Sequence, residues 1–354
     1  MQHGVSVFCG WASPRPDHGR VPGVQSPNKW PWKVLQTRDR VPALGEYDER
    51  DPAVISQRLR WMQEGGIDYA CYQVEWAHEM TQPKTLVAWR PYLDPLLMSH
   101  CADHHPAKSP VRFCLSMWDA SQSDANYWIE LKGRGWKLAE AEASWRQYAR
   151  TVASRFMARS SYLRVGDRPV LFFGAASSLP FYQRQFGLSP ARVIAAVSSE
   201  IRSHTGQKPY LVATSTAPEA FPQLKSWGFD AFTEYLLYSD SWRGVTAIYR
   251  QRWNEAIAIC RQTGIEYWVP ATVGYDSTAW GSPVNVRFVP TPAQFTAHLK
   301  EARQFARTNA PHTREQVITY AWNEFGEGGM IEPMKQGMLH SGDEMLRAHR
   351  AAID

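Results

Sequence analysis

The chain has 354 residues, of which 44% are hydrophobic and 21% are charged, and its formal net charge is +5. This composition is typical of globular proteins, and the acidic and basic residues are interspersed, which argues against a nucleic-acid partner. No apolar run approaches the roughly 20 residues that a membrane-spanning helix needs, so no membrane partner is expected.

The five cysteines and the N-terminus bear on the cellular compartment. An odd number of cysteines without metal-ligand spacing favours a reducing environment over a disulfide framework. The first residues lack the basic start and long apolar core of a signal peptide, which predicts a cytoplasmic location. A secreted protein trimmed of its signal would give the same pattern.

Short apolar runs alternate with amphipathic segments along the chain. The apolar runs predict eight strands, at residues 5–9, 69–74, 111–117, 169–173, 210–214, 231–236, 267–272 and 317–321. Helices are predicted at residues 53–64, 138–157, 190–204, 217–227, 244–263, 292–308 and 343–352. Alternating strands and helices of this number predict an α/β protein, a single (β/α)8 TIM barrel that spans residues 1–354.

The alternative fold for this pattern is a doubly wound open sheet. That fold usually carries a glycine-rich dinucleotide-binding fingerprint after the first strand, and the sequence has none there. In a barrel, the loops that follow the strands form the catalytic face. The two long connections, residues 12–44 and 77–110, are therefore expected to lie over the mouth of the barrel.

Carboxylates and aromatic residues recur where the predicted strands end. They are Glu75, Trp76, Trp118, Asp119, Glu234, Tyr235, Tyr275, Asp276, Trp322, Asn323, Glu324 and Glu327, with Glu332 further along the last loop. Aromatic rings stack on the apolar faces of sugars, and carboxylates accept hydrogen bonds from hydroxyl groups. The pattern predicts a carbohydrate site. The alternatives are structural, since Trp322 could fill the core and Glu234 could pair with an arginine.

The segment "AWNEFGEGGMIEP", from Ala321 to Pro333, holds the two candidate catalytic residues, Glu324 and Glu327. On an extended strand, side chains three residues apart point to opposite faces. The glycines that follow Glu324 permit a turn that aims both carboxylates into one cavity. Two carboxylates in one cavity can divide acid and base work. Two surface glutamates on a mobile loop are the alternative interpretation.

This segment resembles the Trp-Asn-Glu-aromatic-X-Glu-Gly-X-X-X-Glu-Pro signature of glycoside hydrolase family 99, the endo-α-mannosidase family. It is more similar still to the family-99-like WbsX group, in which glycine precedes the second glutamate as Gly326 does here. The stretches "PALGEYDERDPAVISQRLRWMQEGGIDYACY", "YLRVGDRPVLFF" and "WGFDAFTEY" are also similar to that group. The agreement runs over residues 42–333.

The resemblance implies a (β/α)8 barrel and roles at the matched positions. By this resemblance Glu324 takes the proton of a substrate 2-hydroxyl, which attacks its own anomeric carbon and forms a 1,2-anhydro sugar. Glu327 protonates the leaving oxygen and later activates water, which predicts a more raised pKa for Glu327 and an ionised Glu324. Trp118 and Tyr235 match positions that line the sugar subsites. No metal and no organic cofactor are implied.

The chain also departs from the endo-α-mannosidases. Phe325-Gly326 stands where those enzymes have Trp-His, and "MWDASQSD" follows the third strand, where the related group tends to have Asn and Glu. Mannose as a substrate is therefore not carried over. The sequence predicts a retaining, endo-acting glycoside hydrolase that acts on a poly- or oligosaccharide. A glycosyl-transferring or lyase enzyme on the same barrel, or a non-catalytic carbohydrate-binding barrel, is the alternative.

Overall fold

The structure is a computed structural model that describes residues 1–9, 39–47, 49, 51–76, 79–80, 86–87, 111–119, 135–174, 176–215, 218–280 and 287–354. Its central sheet has eight strands in chain order. They are β1 (Gln2–Val7), β2 (Tyr69–Trp76), β3 (Arg112–Asp119), β4 (Arg168–Phe173), β5 (Tyr210–Thr214), β6 (Ala231–Thr233), β7 (Glu266–Tyr267 and Val269–Thr272) and β8 (Gln316–Tyr320).

Each strand pairs in parallel with the next one along the chain, and β8 pairs with β1. The first segment of β7 pairs with β6 and its second segment pairs with β8. Between the two segments, the Trp268 backbone N–H donates to the Phe232 carbonyl over 2.9 Å, which keeps the strand in line. The strands thus return on themselves, so the predicted barrel is confirmed and the open sheet is excluded.

Helices cover the outside of the barrel. They are α1 (Pro52–Glu64), α2 (Leu138–Val152), α3 (Leu179–Phe186), α4 (Pro190–Thr205), α5 (Phe221–Trp227), α6 (Trp242–Thr263), α7 (Pro292–Thr308), α8 (Ala310–Thr313) and α9 (Glu344–Ile353). Side-chain caps with proline in the first turn start three of them, at Asp51, Ser189 and Thr291. None of the helices in the described ranges combines the length and apolar character that crossing a bilayer requires.

The predicted elements differ from the observed ones mainly at their ends. The helix predicted over residues 138–157 ends at Val152 and continues as a π-helical turn, Ala153–Met157. Helix α3 was not predicted, because its eight residues carry too short a periodic pattern. Strand β6 ends at Thr233, so Glu234 and Tyr235 lie in the loop that follows the strand.

The interior of the barrel changes from aromatic to polar along its length. Trp268 lies among the rings of Tyr69, Phe172 and Tyr210, with ring centroids 5.2–6.0 Å apart. A small pocket follows, whose lining is largely polar: Ser6, Cys71, Gln73, Ser116, Phe172, Thr214, Thr233, Glu234, Tyr235, Ile318 and Tyr320. The pocket lies toward the carboxyl ends of several strands, the end at which barrels of this kind carry their functional sites.

Most of the two long connections lies outside the described residues, so their predicted position over the barrel mouth stays a prediction, as does the single domain over residues 1–354. Within the second connection, Glu79–Met80 pairs antiparallel with Leu86–Val87. The end of the first connection, residues 39–47, runs beside the chain that follows β8, where the Ala43 backbone N–H donates to the Pro333 carbonyl over 2.8 Å.

Candidate active site

The chain after β8 folds into a tight hairpin over residues 323–330, which we call the strand-eight hairpin. Asn323–Glu324 pairs antiparallel with Gly329–Met330, and the residues between them form a 3-10 turn, Phe325–Glu327. Gly328 has a φ of 69°, in the left-handed region that favours glycine. A Cβ atom on Gly329 would lie 2.4 Å from the Tyr320 ring. These two glycines are therefore required by backbone conformation and by space.

Glu324 occupies the base of the hairpin and is 5% exposed. The Tyr235 hydroxyl donates to Glu324 Oε1 over 2.6 Å, and the Gln73 side-chain amide donates to the Tyr235 hydroxyl over 2.6 Å. This chain of hydrogen bonds runs from the pocket inside the barrel to the carboxylate. It fixes the Glu324 side chain toward the mouth of the barrel.

Glu327, at the other end of the turn, is half-buried. The Tyr320 hydroxyl donates to Glu327 Oε2. The Tyr320 and Tyr235 rings meet edge to face, with centroids 4.9 Å apart. Because these two neighbouring tyrosines each hold one of the glutamates, Glu324 and Glu327 belong to one site, and we call them the glutamate pair.

Burial raises the pKa of both members of the glutamate pair. The negative charge of Glu327 also raises the pKa of Glu324. Two carboxyl groups that interact in this way titrate as a unit, so the expectation of a more raised pKa for Glu327 stays a prediction.

Two further tyrosines lie beside the glutamate pair. Tyr238 is 52% exposed, and its ring meets the Tyr275 ring edge to face with centroids 5.0 Å apart. Burial raises the pKa of both phenols, and the negative charge of Glu327 contributes to both increases. The two phenols are therefore close to Glu327. Tyr275 was predicted from the sequence, whereas Tyr238 was missed because it follows strand β6 in an unremarkable loop.

Trp322 and Asn323, which were predicted to contact substrate, have structural roles instead. The Trp322 side chain is 0% exposed and belongs to the main hydrophobic core, which was the alternative interpretation. The Asn323 amide bonds the backbone of Phe8 in both directions, accepting over 2.9 Å and donating over 3.0 Å. Asn323 thereby attaches the strand-eight hairpin to the chain that follows β1.

Glu234 and Glu332 are also buried carboxylates with structural partners. Glu234 faces Arg252 at 3.0 Å and accepts from the Tyr267 hydroxyl at 2.9 Å. Glu332 accepts from the Tyr47 hydroxyl at 3.0 Å and lies 3.4 Å from the Arg58 guanidinium. Burial raises the pKa of each carboxyl to about 7, although the arginines act in the opposite direction. Both carboxylates thus have protein partners, Glu234 also lines the pocket inside the barrel, and the predicted contact of the two with sugar stays a prediction.

Asp276 is the third carboxylate whose predicted role changes. It is 2% exposed and lies 2.9 Å from each of two guanidiniums, those of Arg40 and Arg287. Its carboxylate also accepts from the Thr278 hydroxyl over 2.6 Å. Asp276 therefore holds together the loop after β7 and is not available to a ligand.

The remaining predicted residues lie at the carboxyl ends of β2 and β3. Glu75 pairs in register with Trp118, and Trp76 pairs with Asp119. Their backbones thus stand side by side at the mouth of the barrel, while their side chains lie outside what the structure describes. In the described part of the chain, no cluster of three or more His, Cys, Asp or Glu residues could hold a metal ion.

Three residues that shape the site were missed from the sequence: Gln73, Tyr320 and Arg40. Gln73 is a lone polar residue in the apolar run of β2, which is a usable signal for a residue that faces a polar cavity. Tyr320 ends the apolar run of β8 and reads as one more core aromatic. Arg40 carries no sequence signal, because its contacts within the described ranges, apart from the one with Asp39 beside it, are made with residues more than 200 positions away.

The fold and the site define a class of protein: a (β/α)8 barrel that carries paired glutamates and tyrosines at the carboxyl ends of its strands. The chain belongs to the family described as glycosyltransferase WbsX, whose model matches residues 36–346. The predicted resemblance to the family-99-like WbsX group is thereby confirmed.

A curated relative is similar over most of the chain. It is the uncharacterized protein WxcX of Xanthomonas campestris pv. campestris (strain B100), with 26% identity over 313 residues, which is 83% of this chain. The matched region is 41% of that relative, so the chain spans less than half the length of the curated protein it matches.

Solved structures share the fold at low sequence identity. The family 99 endo-α-mannosidase from Bacteroides thetaiotaomicron has a TM-score of 0.65 at 13% identity, covering 99% of this chain and 96% of that one. A glycoside hydrolase-like protein has a TM-score of 0.70 at 14% identity, covering 99% and 93%. These similarities support the barrel architecture.

Proposed function

We propose that the protein is a retaining, endo-acting glycoside hydrolase that cleaves a poly- or oligosaccharide. The observation that carries this proposal is the glutamate pair, in which a buried and a half-buried carboxyl group share one site and each accepts a hydrogen bond from a tyrosine. Glycoside cleavage requires one group that gives a proton and one that takes a proton. The family resemblance supplies the division of roles between the two glutamates.

In the first step, Glu324 takes the proton of the substrate 2-hydroxyl. The freed oxygen attacks the anomeric carbon and forms the C1–O2 bond of a 1,2-anhydro sugar. The bond from C1 to the leaving oxygen breaks, and Glu327 donates its proton to that oxygen. After this step Glu324 is protonated and Glu327 is ionised, the reverse of their states before it.

In the second step, Glu327 takes a proton from water, whose oxygen attacks C1. The C1–O2 bond breaks, and Glu324 returns its proton to O2. Each step inverts the anomeric carbon, so the product keeps the configuration of the substrate. No group outside the glutamate pair and water is needed to balance the protons.

The raised pKa values of both carboxyl groups suit groups that exchange protons with a substrate. A bound substrate offers a hydroxyl donor to Glu324 and a glycosidic oxygen acceptor to Glu327, and these contacts favour an ionised Glu324 and a protonated Glu327. Substrate binding therefore produces the protonation state from which the reaction starts.

Tyr238 and Tyr275 would contact the sugar on the leaving side of the scissile bond, because they lie beside Glu327. The half-exposed Tyr238 ring offers an apolar face of the kind that stacks on sugars. The two rings meet edge to face and thus form a corner, not a flat wall. This geometry suits a sugar ring that enters the site at an angle to the rest of its chain.

Glycosyl transfer is the second candidate function, and the name of the family favours it. The same glutamate pair would serve, provided that a sugar hydroxyl in place of water attacks C1 in the second step. The two reactions therefore differ in the acceptor and not in the acid and base.

The decisive experiment incubates the purified chain with a panel of polysaccharides, with and without short acceptor oligosaccharides. Reducing-end release without an acceptor supports hydrolysis, and the anomeric configuration of the first product, measured by NMR, tests retention. Acceptor-dependent elongation without net reducing-end release would show transfer. Binding without any product, with the same affinity in a double Glu324→Gln, Glu327→Gln variant, would show a non-catalytic carbohydrate-binding barrel.

A further inference from the structure

A buried arginine lies behind the strand-eight hairpin. Arg40 is 2% exposed and reaches the hairpin from residues 39–47, far away in sequence. Its Nη1 atom donates to the backbone carbonyls of Phe325, over 3.2 Å, and Gly326, over 3.3 Å. These are the two residues that separate Glu324 from Glu327, so the guanidinium contacts the piece of backbone that connects the glutamate pair.

The same guanidinium also holds the loop after β7. Nη1 donates to the Asp276 backbone carbonyl over 2.5 Å, and Nη2 lies 2.9 Å from the Asp276 carboxylate. Nη2 donates to the Thr278 hydroxyl over 3.2 Å as well. One planar group with fixed donor directions thus joins two loops of the barrel mouth in a defined relative position.

The two loops pack directly against each other at this point. A Cβ atom on Gly328 would lie 3.0 Å from both the Cβ and the backbone nitrogen of Asp276. The hairpin tip therefore rests on Asp276, and Asp276 rests on Arg40. A short 3-10 turn has few hydrogen bonds of its own, so external donors to its carbonyls decide its conformation.

We propose that Arg40 is the positioning residue of the glutamate pair: it sets the direction and separation of Glu324 and Glu327 by holding the two carbonyls between them. It does so from behind the turn and contacts neither carboxyl group nor substrate. The effect on turnover rests on the proposed function, whereas the effect on the hairpin does not.

Arg287 provides a matched control. Its guanidinium lies at the same 2.9 Å from the Asp276 carboxylate, but its side chain is 59% exposed. Its described ion pair is with Asp276 and not with the hairpin. Removing Arg287 thus removes a positive charge next to Asp276 and leaves the contacts to the turn carbonyls in place.

The experiment compares Arg40→Lys, Arg40→Met and Arg287→Met with the wild type. In Arg40→Met we expect kcat to fall about 10²-fold with KM nearly unchanged, because misplacement of catalytic groups by about 1 Å costs that much. Arg40→Lys keeps the charge but loses the planar fork, so we expect an intermediate loss. Arg287→Met should stay within about twofold of the wild type, since it leaves the turn contacts intact.

A second measurement does not depend on turnover. The glutamate pair is titrated by NMR in protein with ¹³C-labelled glutamate side chains, and the signals are assigned with Glu324→Gln and Glu327→Gln. A loosened turn admits water, so the pKa values of the pair should move toward the ordinary value in Arg40→Lys and should not move in Arg287→Met. If Arg40→Met does not fold, Arg40→Lys carries the comparison.

The outcomes separate the two proposals. A folded Arg40→Lys variant with wild-type kcat and an unchanged titration would overturn the positioning role. Equal changes in Arg40→Lys and Arg287→Met would also overturn it, because the effect would then follow charge and not the turn contacts. If the wild type cleaves no glycan but only the Arg40 variants shift the titration, the positioning role holds and the proposed hydrolase function fails.

Discussion

Asp276 and the glutamate pair lie on two loops that touch at the mouth of the barrel, but their carboxyl groups meet different partners. Burial acts to raise the pKa of Asp276. Hydrogen bonds from Thr278 and the charges of Arg40 and Arg287 outweigh burial, so the pKa of Asp276 is lowered. Asp276 therefore keeps its negative charge.

The carboxyl groups of the glutamate pair accept hydrogen bonds from phenol hydroxyls, whereas the Asp276 carboxylate lies against two guanidiniums. The hydrogen bonds from Tyr235 and Tyr320 act to lower the pKa values of Glu324 and Glu327. Burial has the larger effect, so both pKa values are raised overall. A neutral donor orients a carboxyl group without fixing its charge. The comparison indicates that two guanidiniums and Thr278 keep the pKa of Asp276 low, while phenol hydroxyls leave the pKa values of the glutamate pair raised. A raised pKa is typical of carboxyl groups that exchange protons in catalysis.

Glu234 and Glu332 have partners of both kinds. Each is buried, faces one arginine and accepts a hydrogen bond from a tyrosine, and the pKa of each is about 7. A single arginine and a phenol hydroxyl together therefore offset only part of the effect of burial.

The greatest loss of turnover is expected from changes to the glutamate pair and not from changes to other carboxylates. Glu324→Gln or Glu327→Gln keeps the shape but removes proton transfer, so kcat should fall by roughly 10²–10⁴-fold while binding survives. A substrate whose leaving group needs no protonation should partly restore turnover in Glu327→Gln and not in Glu324→Gln. Turnover on natural and activated substrates and affinity are measured in parallel.

The control for this prediction is Glu255→Gln, which changes an exposed glutamate on α6. It should leave turnover unchanged. Wild-type turnover in both Glu324→Gln and Glu327→Gln would remove the pair from the mechanism and leave the non-catalytic carbohydrate-binding barrel as the better interpretation.

The second prediction tests the structural side of the comparison. Asp276→Asn removes the charge partner that lies 2.9 Å from the buried Arg40 and leaves the partly exposed Asp39 at 3.6 Å, which should lower the free energy of unfolding by about 3–5 kcal/mol. Arg287→Met removes an exposed partner of the same carboxylate and should cost no more than about 1 kcal/mol. Urea denaturation measures both. A loss below about 1 kcal/mol in Asp276→Asn would contradict a fixed charge at this position.

The third prediction concerns the tyrosine donors. Tyr320→Phe removes a hydrogen bond that lowers the pKa of Glu327, so the pKa should rise and the basic limb of the kcat–pH profile should move to higher pH. We expect roughly a 10-fold loss of kcat, since one hydrogen bond to a charged group contributes about 1.5–3 kcal/mol. Tyr235→Phe should instead raise the pKa of Glu324 and move the acidic limb upward. If neither limb of the kcat–pH profile moves in either variant, the phenols do not set the pKa values of the glutamate pair.

The smallest change is expected in the free energy of unfolding. A carboxyl whose pKa is raised on folding stabilises the protein fully only below the unfolded pKa, and this contribution is lost as pH rises through the folded pKa. Glu324 is such a group, so Glu324→Gln should be more stable than the wild type at pH 7. The advantage should shrink as pH falls and disappear below about 4, where the carboxyl is protonated in both folded and unfolded chains. Urea midpoints across this range would contradict the idea if the difference were constant.

Much of the barrel could be predicted from the sequence because its signals are local. Strand β5 occupies the predicted residues 210–214, and helix α7 occupies the predicted residues 292–308. Apolar runs and helical periodicity arise from neighbours within a few turns of chain. The ends of the elements were predicted less accurately, as at β6, because pairing with adjacent strands decides where a strand stops.

The candidate site also has features that local sequence predicts and features that it does not. The glycine turn and its two glutamates could be predicted because conformation, spacing and residue type all lie within a few consecutive positions. The partners of Glu332 and Asp276 could not, because Arg58 and Arg40 come from the first part of the chain. Glu234 was given an arginine partner as an alternative, and that partner is Arg252 on the next helix, α6.

Local patterns in the sequence predict the alternation of strands and helices, the turn after β8 and the two glutamates on that turn. The pKa of each carboxyl group depends instead on contacts that form in the folded barrel. The physical reason is that secondary structure follows from local sterics and hydrogen bonding, whereas a pKa follows from burial and from charges that distant residues bring within a few ångströms.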